Sequence, residues 1–121
     1  MKHVLVVDDE VDLQDAICEV LEGEGYATSR ASNGLEALDC LRKVDTCVVL
    51  LDLTMPVMDG WEFRRQQLGD EALAKIPVVL VTADGHAGEK AGKISAQAFL
   101  QKPFRPEELL RAVAGFCRRA D

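Results

Sequence analysis

No apolar run in this chain approaches the ~18 residues that a membrane-spanning helix needs, so no such helix is expected. The start, Met1-Lys2-His3, leads straight into a strand-like run and shows no signal peptide, which points to a soluble, cytoplasmic protein. CxxC spacing is missing, and neither histidine stands at ligand spacing from a cysteine, so neither a zinc site nor a thioredoxin-type motif is suggested. Cys18, Cys40, Cys47 and Cys117 each fall inside an apolar pattern, where a free cysteine behaves as a small hydrophobe; reduced, buried thiols are the expectation. Basic residues are scarce. Fourteen Lys and Arg face twenty-one Asp and Glu, and a net charge of −7 argues against direct nucleic-acid binding, which depends on clustered cations. The glycine-rich cradle of a nucleotide-binding loop is absent too, as are repeats, linkers and low-complexity segments.

What remains suits one compact domain spanning residues 1–121, with 48% hydrophobic residues to fill a core. The charge is unevenly placed: residues 1–60 carry a balance of −9 and residues 61–121 one of +2.

Val4-Leu5-Val6-Val7, Val48-Val49-Leu50-Leu51 and Val78-Val79-Leu80-Val81 are continuous apolar runs without alternation, the pattern of strands buried on both faces of a parallel sheet. Ala98-Phe99-Leu100 is a shorter run of the same kind, and Tyr26–Ala31 reads as an edge strand. Helix-period stretches lie between them. Val11, Ala16, Ile17, Val20 and Leu21 mark one helix face, with Gly23 and Gly25 as stops. Ala37, Leu38 and Leu41 mark a second, opened by Asn33 as cap with Glu36 three residues on. Trp61, Arg64, Arg65 and Leu68 mark a third, ending at Gly69, with Trp61 read as an ordinary, partly buried helix aromatic. The last helix starts at Pro106, has Glu107 and Glu108 at its positive end and Arg118 and Arg119 at its negative end, and buries Leu109, Leu110, Val113 and Phe116. Five βα repeats predict a doubly wound α/β fold with helices on both faces of a parallel sheet.

In such sheets ligands bind beyond the carboxyl ends of the strands. The residues there are Asp8, Asp9 and Glu10 after the first run, Asp52 after the third strand, Thr82 after the fourth and Lys102 after the fifth. Acids at a helix start are favoured by the dipole, which accounts for Asp8 and Asp9 but not for Asp52 opposite them. Two carboxylates ~4 Å apart repel by about 4 kcal/mol at an effective dielectric of 20, so three stay ionised together only if a cation intervenes. An all-oxygen set with room for water suits Mg²⁺, with Mn²⁺ as a substitute. A divalent ion beside a nucleophilic carboxylate, a lysine and a hydroxyl is equipped to handle a phosphoryl group and to form an aspartyl phosphate.

The chain resembles the receiver domains of two-component response regulators from about Val4 to Phe116. The resemblance rests on Val6-Val7-Asp8-Asp9-Glu10, on Asp52-Leu53-Thr54-Met55-Pro56-Val57-Met58-Asp59-Gly60, on Val81-Thr82-Ala83 and on Lys102-Pro103-Phe104, in that order. It implies the flavodoxin-like strand order 2-1-3-4-5 and a cis bond before Pro103. It also implies that Asp52 takes a phosphoryl group from a sensor histidine kinase or histidine phosphotransfer protein. Asp9, Asp52 and the Thr54 backbone carbonyl would hold Mg²⁺, with Asp8 assisting through water. Lys102 would pair with phosphoryl oxygens, Thr82 would swing in to bond one, and Phe99 would be the switch aromatic that turns with it. Thr54 and Asp84 occupy positions that tune phosphoryl lifetime. The domain would signal to a downstream protein target or output domain rather than act as an enzyme, while assisting its own phosphorylation and dephosphorylation.

One departure stands out. Between Asp84 and Gln97, where the family has its fourth helix, the chain is short and carries Gly85, Gly88 and Gly92, each costing a helix about 1 kcal/mol relative to Ala. A short, mobile segment ordered by phosphorylation is the expectation. Other classes fit less well. A dehalogenase-type hydrolase needs a second Asp where Thr54 stands. A flavodoxin needs a hydroxyl-rich loop where the first acids stand. A docking-only receiver has no use for the complete set Asp9, Asp52, Thr82 and Lys102.

Overall fold

The computed structural model describes residues 1–119; Ala120 and Asp121, the end of the expected 1–121 domain, lie outside the described residues. Five strands alternate with five helices: β1 (His3–Val7), α1 (Val11–Gly23), β2 (Ala27–Ala31), α2 (Gly34–Lys43), β3 (Thr46–Leu51), α3 (Gly60–Leu68), β4 (Val78–Thr82), α4 (Ala87–Lys93), β5 (Ala98–Gln101) and α5 (Pro106–Ala114). All strands pair in parallel in the order β2-β1-β3-β4-β5, with β2 at an edge as expected. Among the described residues, no helix is long and apolar enough to cross a membrane.

The unbroken apolar runs divide between two cores because successive strand side chains point to opposite faces. Leu5, Val7, Val49, Leu51, Val78 and Leu80 pack with Ala37, Leu38, Leu41, Phe63, Ala91 and Ile94 of α2, α3 and the α4 region. Val4, Val6, Val48, Leu50, Val79 and Val81 pack with Ile17, Cys18, Leu21, Leu109 and Val113 of α1 and α5. Fully burying a side chain of this size stabilises by about 1.5–3 kcal/mol, so both faces hold the sheet flanked by helices.

Register sets the working edge. Val7 lies opposite Leu51, so the next residues, Asp8 and Asp52, leave neighbouring strands at the same level. Thr82 lies opposite Gln101, which brings Lys102 to the end of β4. Backbone bonds fix these exits: Asp52 N donates to the Val7 carbonyl at 3.1 Å, and Lys102 N to the Thr82 carbonyl at 2.7 Å. The Lys102–Pro103 bond is cis, as the resemblance implied.

The α2 start follows its sequence signal: Asn33 Oδ1 accepts from Glu36 N at 2.9 Å, and Glu36 Oε1 accepts from Ser32 N at 2.9 Å. Four expectations need correction. On α1, Val11 and Ala16 are exposed, and the buried stripe is Gln14, Ile17, Cys18 and Leu21. On α3 the inward face is Gly60, Phe63, Arg64 and Gln67, whereas Trp61, Arg65 and Leu68 are exposed. The cause is Gly60, where a Cβ would sit 2.6 Å from the Asp52 carbonyl oxygen; this close approach fixes the phase of the helix. The last helix ends at Ala114, so Phe116 packs beyond it and Arg118 and Arg119 cannot serve its negative end, a role left to Arg111. Finally, Cys47 and Cys117 are joined in a disulfide between the start of β3 and the segment after α5, while Cys18 and Cys40 are free thiols. Cα atoms 5.4 Å apart fall within bonding range, a proximity that spacing along the chain does not reveal.

Buried Arg64 is satisfied by oxygens rather than by apolar neighbours. Its Nε donates to the Ile94 carbonyl at 2.9 Å, one Nη to the Ser95 carbonyl at 2.6 Å and the other to Gln67 Oε1 at 2.7 Å. Gln67 in turn donates to the carbonyls of Leu73 and Ile76. The α3–β4 and α4–β5 loops thereby find partners for backbone carbonyls that a helix or strand would otherwise supply. The segment expected to hold a weak fourth helix is indeed short: α4 has seven residues and no side-chain cap at His86.

Candidate functional site

Three carboxylates, Asp8, Asp9 and Asp52, meet where β1 and β3 end, each offering an oxygen within 4.8 Å of the others. Asp8 is 2% exposed, Asp52 partly buried and Asp9 exposed. Asp8 is held on every side. Its Oδ1 accepts from Glu10 N at 2.9 Å, its Oδ2 lies 3.2 Å from Lys102 Nζ, and its carbonyl accepts from Gln14 Nε2. A charge-assisted pair between largely buried partners fixes Lys102 above the acids.

Burial is the main reason the Asp52 carboxyl is pushed above the usual carboxylate range; Lys102 opposes the shift, and Asp8 and Asp9 add to it. The carboxylate therefore has weak support: Thr54 N reaches its Oδ1 only at 3.4 Å. Gly60 N donates to the Leu53 carbonyl at 2.9 Å, and the tight fit of Gly60 against Asp52 presses the start of α3 onto the backbone of that carboxylate.

Above the acids lies a cleft of about 560 Å³, lined by Asp9, Asp52, Thr54, Thr82 and Lys102. Thr82 is buried and its Oγ1 accepts from Asp84 N at 3.1 Å. Asp84 also accepts from His86 N and pairs with Lys90 Nζ at 2.5 Å. The Lys90 bond, first of all, and then that from His86 N hold the Asp84 carboxyl below its ordinary range. Phe99 is not among the residues that line the cleft: it is 50% exposed, and its ring lies 3.6 Å from where a Cβ on Gly88 of α4 would stand. An ordinary core role for Phe99 is therefore excluded.

The model of the family described as "Response regulator receiver domain" matches residues 4–114. The chain belongs to this family. The receiver resembles the DNA-binding response regulator MtrA of Mycobacterium tuberculosis, 35% identical over 125 residues, covering 99% of this chain and 52% of that protein. The chain spans about half the length of the curated relatives it matches. Among solved structures it resembles the chemotaxis response regulator CheY4 of Vibrio cholerae, with a TM-score of 0.86 and 31% identity over 95% of this chain and 98% of that one. The receiver domain of sensor histidine kinase PA1611 from Pseudomonas aeruginosa, solved with a magnesium ion in its active-site cleft, superposes with a TM-score of 0.86 at 25% identity, covering 95% and 96%. The fold of this receiver is the flavodoxin-like one expected.

The sequence-predicted residues Asp8, Asp9, Asp52, Thr54, Thr82 and Lys102 come together at one edge, while Phe99 stands apart on the α4 side. Two residues of the cleft were missed. Trp61, 40% exposed, lines its wall from the first turn of α3. Lys90 reaches the cleft from α4 through Asp84, six residues earlier, a spacing that carries no helical signal because the two belong to different elements.

Proposed function

We propose that Asp52 of this single receiver domain, residues 1–121, accepts a phosphoryl group from a histidine kinase or histidine phosphotransfer protein. The reading is carried by the convergence of three carboxylate oxygens within 4.8 Å, next to a lysine 3.2 Å from one of them. These donors are all oxygen and mutually repelling, which fits a hard divalent cation; Asp9, Asp52 and the Thr54 carbonyl would hold Mg²⁺, or Mn²⁺ in its place, with Asp8 assisting through water. Such an ion, when bound, neutralises charge on the transferring phosphoryl oxygens.

The rest falls to the side chains. An oxygen of the Asp52 carboxylate attacks phosphorus, the P–N bond to the donor imidazole breaks, and the departing nitrogen takes a proton. Lys102, already oriented by Asp8, pairs with phosphoryl oxygens. Thr82 gives its hydroxyl to one of them, releasing the amide of Asp84. Phosphoryl adds about −1.5 to −2 charge and three acceptor oxygens, so contacts made differently in the two forms bias the α4–β5 side, where Phe99 rests on Gly88. The glycine-rich α4 segment is mobile before phosphorylation and ordered by it. Thr54 and Asp84 tune the lifetime of the product.

Lys102 lines both the acid cleft and an apolar groove of about 390 Å³ between α1 and α5. That continuity supports the phosphodonor protein as the groove's occupant. The output goes to a protein target or an attached output domain in the cytoplasm, without direct nucleic-acid contact by this domain.

The test is incubation with Mg²⁺ and a small acyl phosphate, read by intact mass. A phosphoryl adduct on the wild type and none on Asp52→Asn is expected. Equal labelling of both, or no labelling with any donor or kinase, overturns the reading. Amide exchange showing α4 as protected as α5 without phosphorylation would refute its ordering role.

A further inference from the structure

The edge of the sheet opposite the acids has chemistry of its own. Cys47, second residue of β3, is bonded to Cys117, just past α5, linking positions 70 residues apart in sequence. Cys47 also lines a cavity of about 420 Å³ together with Lys2, Phe116, Arg118 and Arg119. Among the described residues no carboxylate lines this cavity, although Arg119 reaches out of it to Glu24 at 3.3 Å. Cys47, itself largely buried, thus borders a concave space of ligand size that carries three cationic side chains.

We propose that Cys47–Cys117 is a reversible thiol–disulfide couple exchanged with an anionic low-molecular-weight thiol of the glutathione class, which enters through this cationic cavity. In the reducing direction the entering thiolate attacks Cys47 Sγ, forming a mixed disulfide and expelling the Cys117 thiolate, which takes a proton. A second small thiol attacks the small-molecule sulfur of that mixed disulfide. It leaves as the oxidised small disulfide, and the Cys47 thiolate is released and protonated. The protein disulfide gains two electrons and two protons, and two small thiols lose them; oxidation by the small disulfide runs the same steps backwards. Lys2, Arg118 and Arg119 draw the anion in toward Cys47. The reduced state is also provided for: the His3 carbonyl oxygen lies 3.3 Å from Cys47 Sγ and can accept from its thiol. Reduction frees the segment after α5 from β3 and does not touch the acid cleft, so the couple stands or falls apart from the phosphoryl chemistry.

The experiment uses the whole chain, oxidised, and three thiols of different charge at matched thiolate concentration: glutathione, 2-mercaptoethanol and cysteamine. Aliquots are quenched, denatured and alkylated, and free thiols are counted by intact mass. Two free thiols, Cys18 and Cys40, are expected at the start and four at the end. Glutathione should open the bond about tenfold faster than cysteamine at low salt, the usual lower scale of electrostatic steering. Added salt or the Lys2→Ser/Arg118→Ser variant should erase that order. On Cys117→Ser, oxidised glutathione should leave one adduct on Cys47. Equal rates for all three thiols, or no adduct on Cys47, overturns the role of the cavity. Four free thiols persisting in an excess of oxidised glutathione overturns the couple itself.

Discussion

Replacing Asp52 with asparagine should make the metal-free protein more stable, not less. Two unit charges 4.8 Å apart, the outer limit for the oxygens of Asp8, Asp9 and Asp52, repel by about 3.5 kcal/mol at an effective dielectric of 20. Lys102 stands 3.2 Å from Asp8 and offsets most of the repulsion from that residue, so Asp8 and Lys102 together act on Asp52 nearly as a neutral pair. Exposed Asp9 then contributes about 1 kcal/mol or less after screening, and the partial burial of Asp52 adds to it. The raised carboxyl of Asp52 has the matching direction, with burial its first cause. Between the ordinary carboxyl value and the raised one the folded chain binds more protons than the unfolded chain, so stability falls as pH rises through that window and stays reduced above it. Asp52→Asn should therefore gain about 1 kcal/mol at neutral pH in EDTA, about 4 °C in Tm, with the gain shrinking as acid protonates the wild-type carboxyl. Mg²⁺ should reverse the order: a ligand at a hundred times its Kd stabilises by about 2.7 kcal/mol, and the variant has lost a donor. Urea unfolding of both proteins in EDTA and in Mg²⁺ gives the four values needed. A variant equal to or weaker than wild type in EDTA refutes the repulsion, and a variant that gains from Mg²⁺ as much as wild type refutes Asp52 as a ligand.

Arg64→Met removes the donors to Ile94, Ser95 and Gln67 and should cost about 3 kcal/mol in urea, with faster amide exchange across α4; unchanged exchange would show that the clamp does not restrain that helix. Gly60→Ala places a Cβ 2.6 Å from the Asp52 carbonyl and should cost about 2 kcal/mol while slowing labelling of Asp52; unimpaired stability and labelling would contradict the close approach. Glu62, held down first by its bond from Arg65 and then by one from Gln66, should titrate with a midpoint of about 2, so its stabilising contribution is complete above 4.5 and lost as pH falls through the lower value. A carboxyl resonance moving at the ordinary value, followed by NMR, would refute the pairing.

The sheet and its edge were legible because they depend on local pattern. Apolar runs without alternation identified the central strands, and the residues just beyond the runs built the site: Asp8 and Asp9, Asp52, Thr82 and, one residue past Gln101, Lys102. What escaped depends on phase and on distant pairing. Trp61 and Leu68 read as a buried stripe because they are apolar, but the contact of Gly60 with the Asp52 backbone rotates α3 and puts Arg64 and Gln67 inside. An arginine in a core is tolerable only when carbonyls are aimed at it, and those of Ile94 and Ser95 belong to a loop 30 residues away. The Cys47–Cys117 bond is hidden for the same reason, since strand order and helix placement bring the two ends together only after folding.

The two ends of α4 are held unequally, and this asymmetry ties the weak helix to the acids. At its C-terminal end Arg64 grips the carbonyls of Ile94 and Ser95, and Ile94 is buried in the core. At its N-terminal end His86 makes no side-chain cap, and the connection to β4 runs through Asp84. Asp84 donates its amide to Thr82 and holds Lys90 with its carboxylate. A hydroxyl drawn from Asp84 N toward a new acceptor in the cleft leaves that amide without its partner, so the loop must find another arrangement. With the far end clamped, the adjustment on the proposed switch would concentrate in the first turn of α4, where Gly88 lies beside the ring of Phe99. A glycine there presents only backbone to the aromatic face, so a small shift of the turn changes the space open to the ring without displacing a side chain. Of the glycines that weaken α4, Gly88 thus lies in the turn that the proposed switch would move, and Gly92 lies at the clamped end.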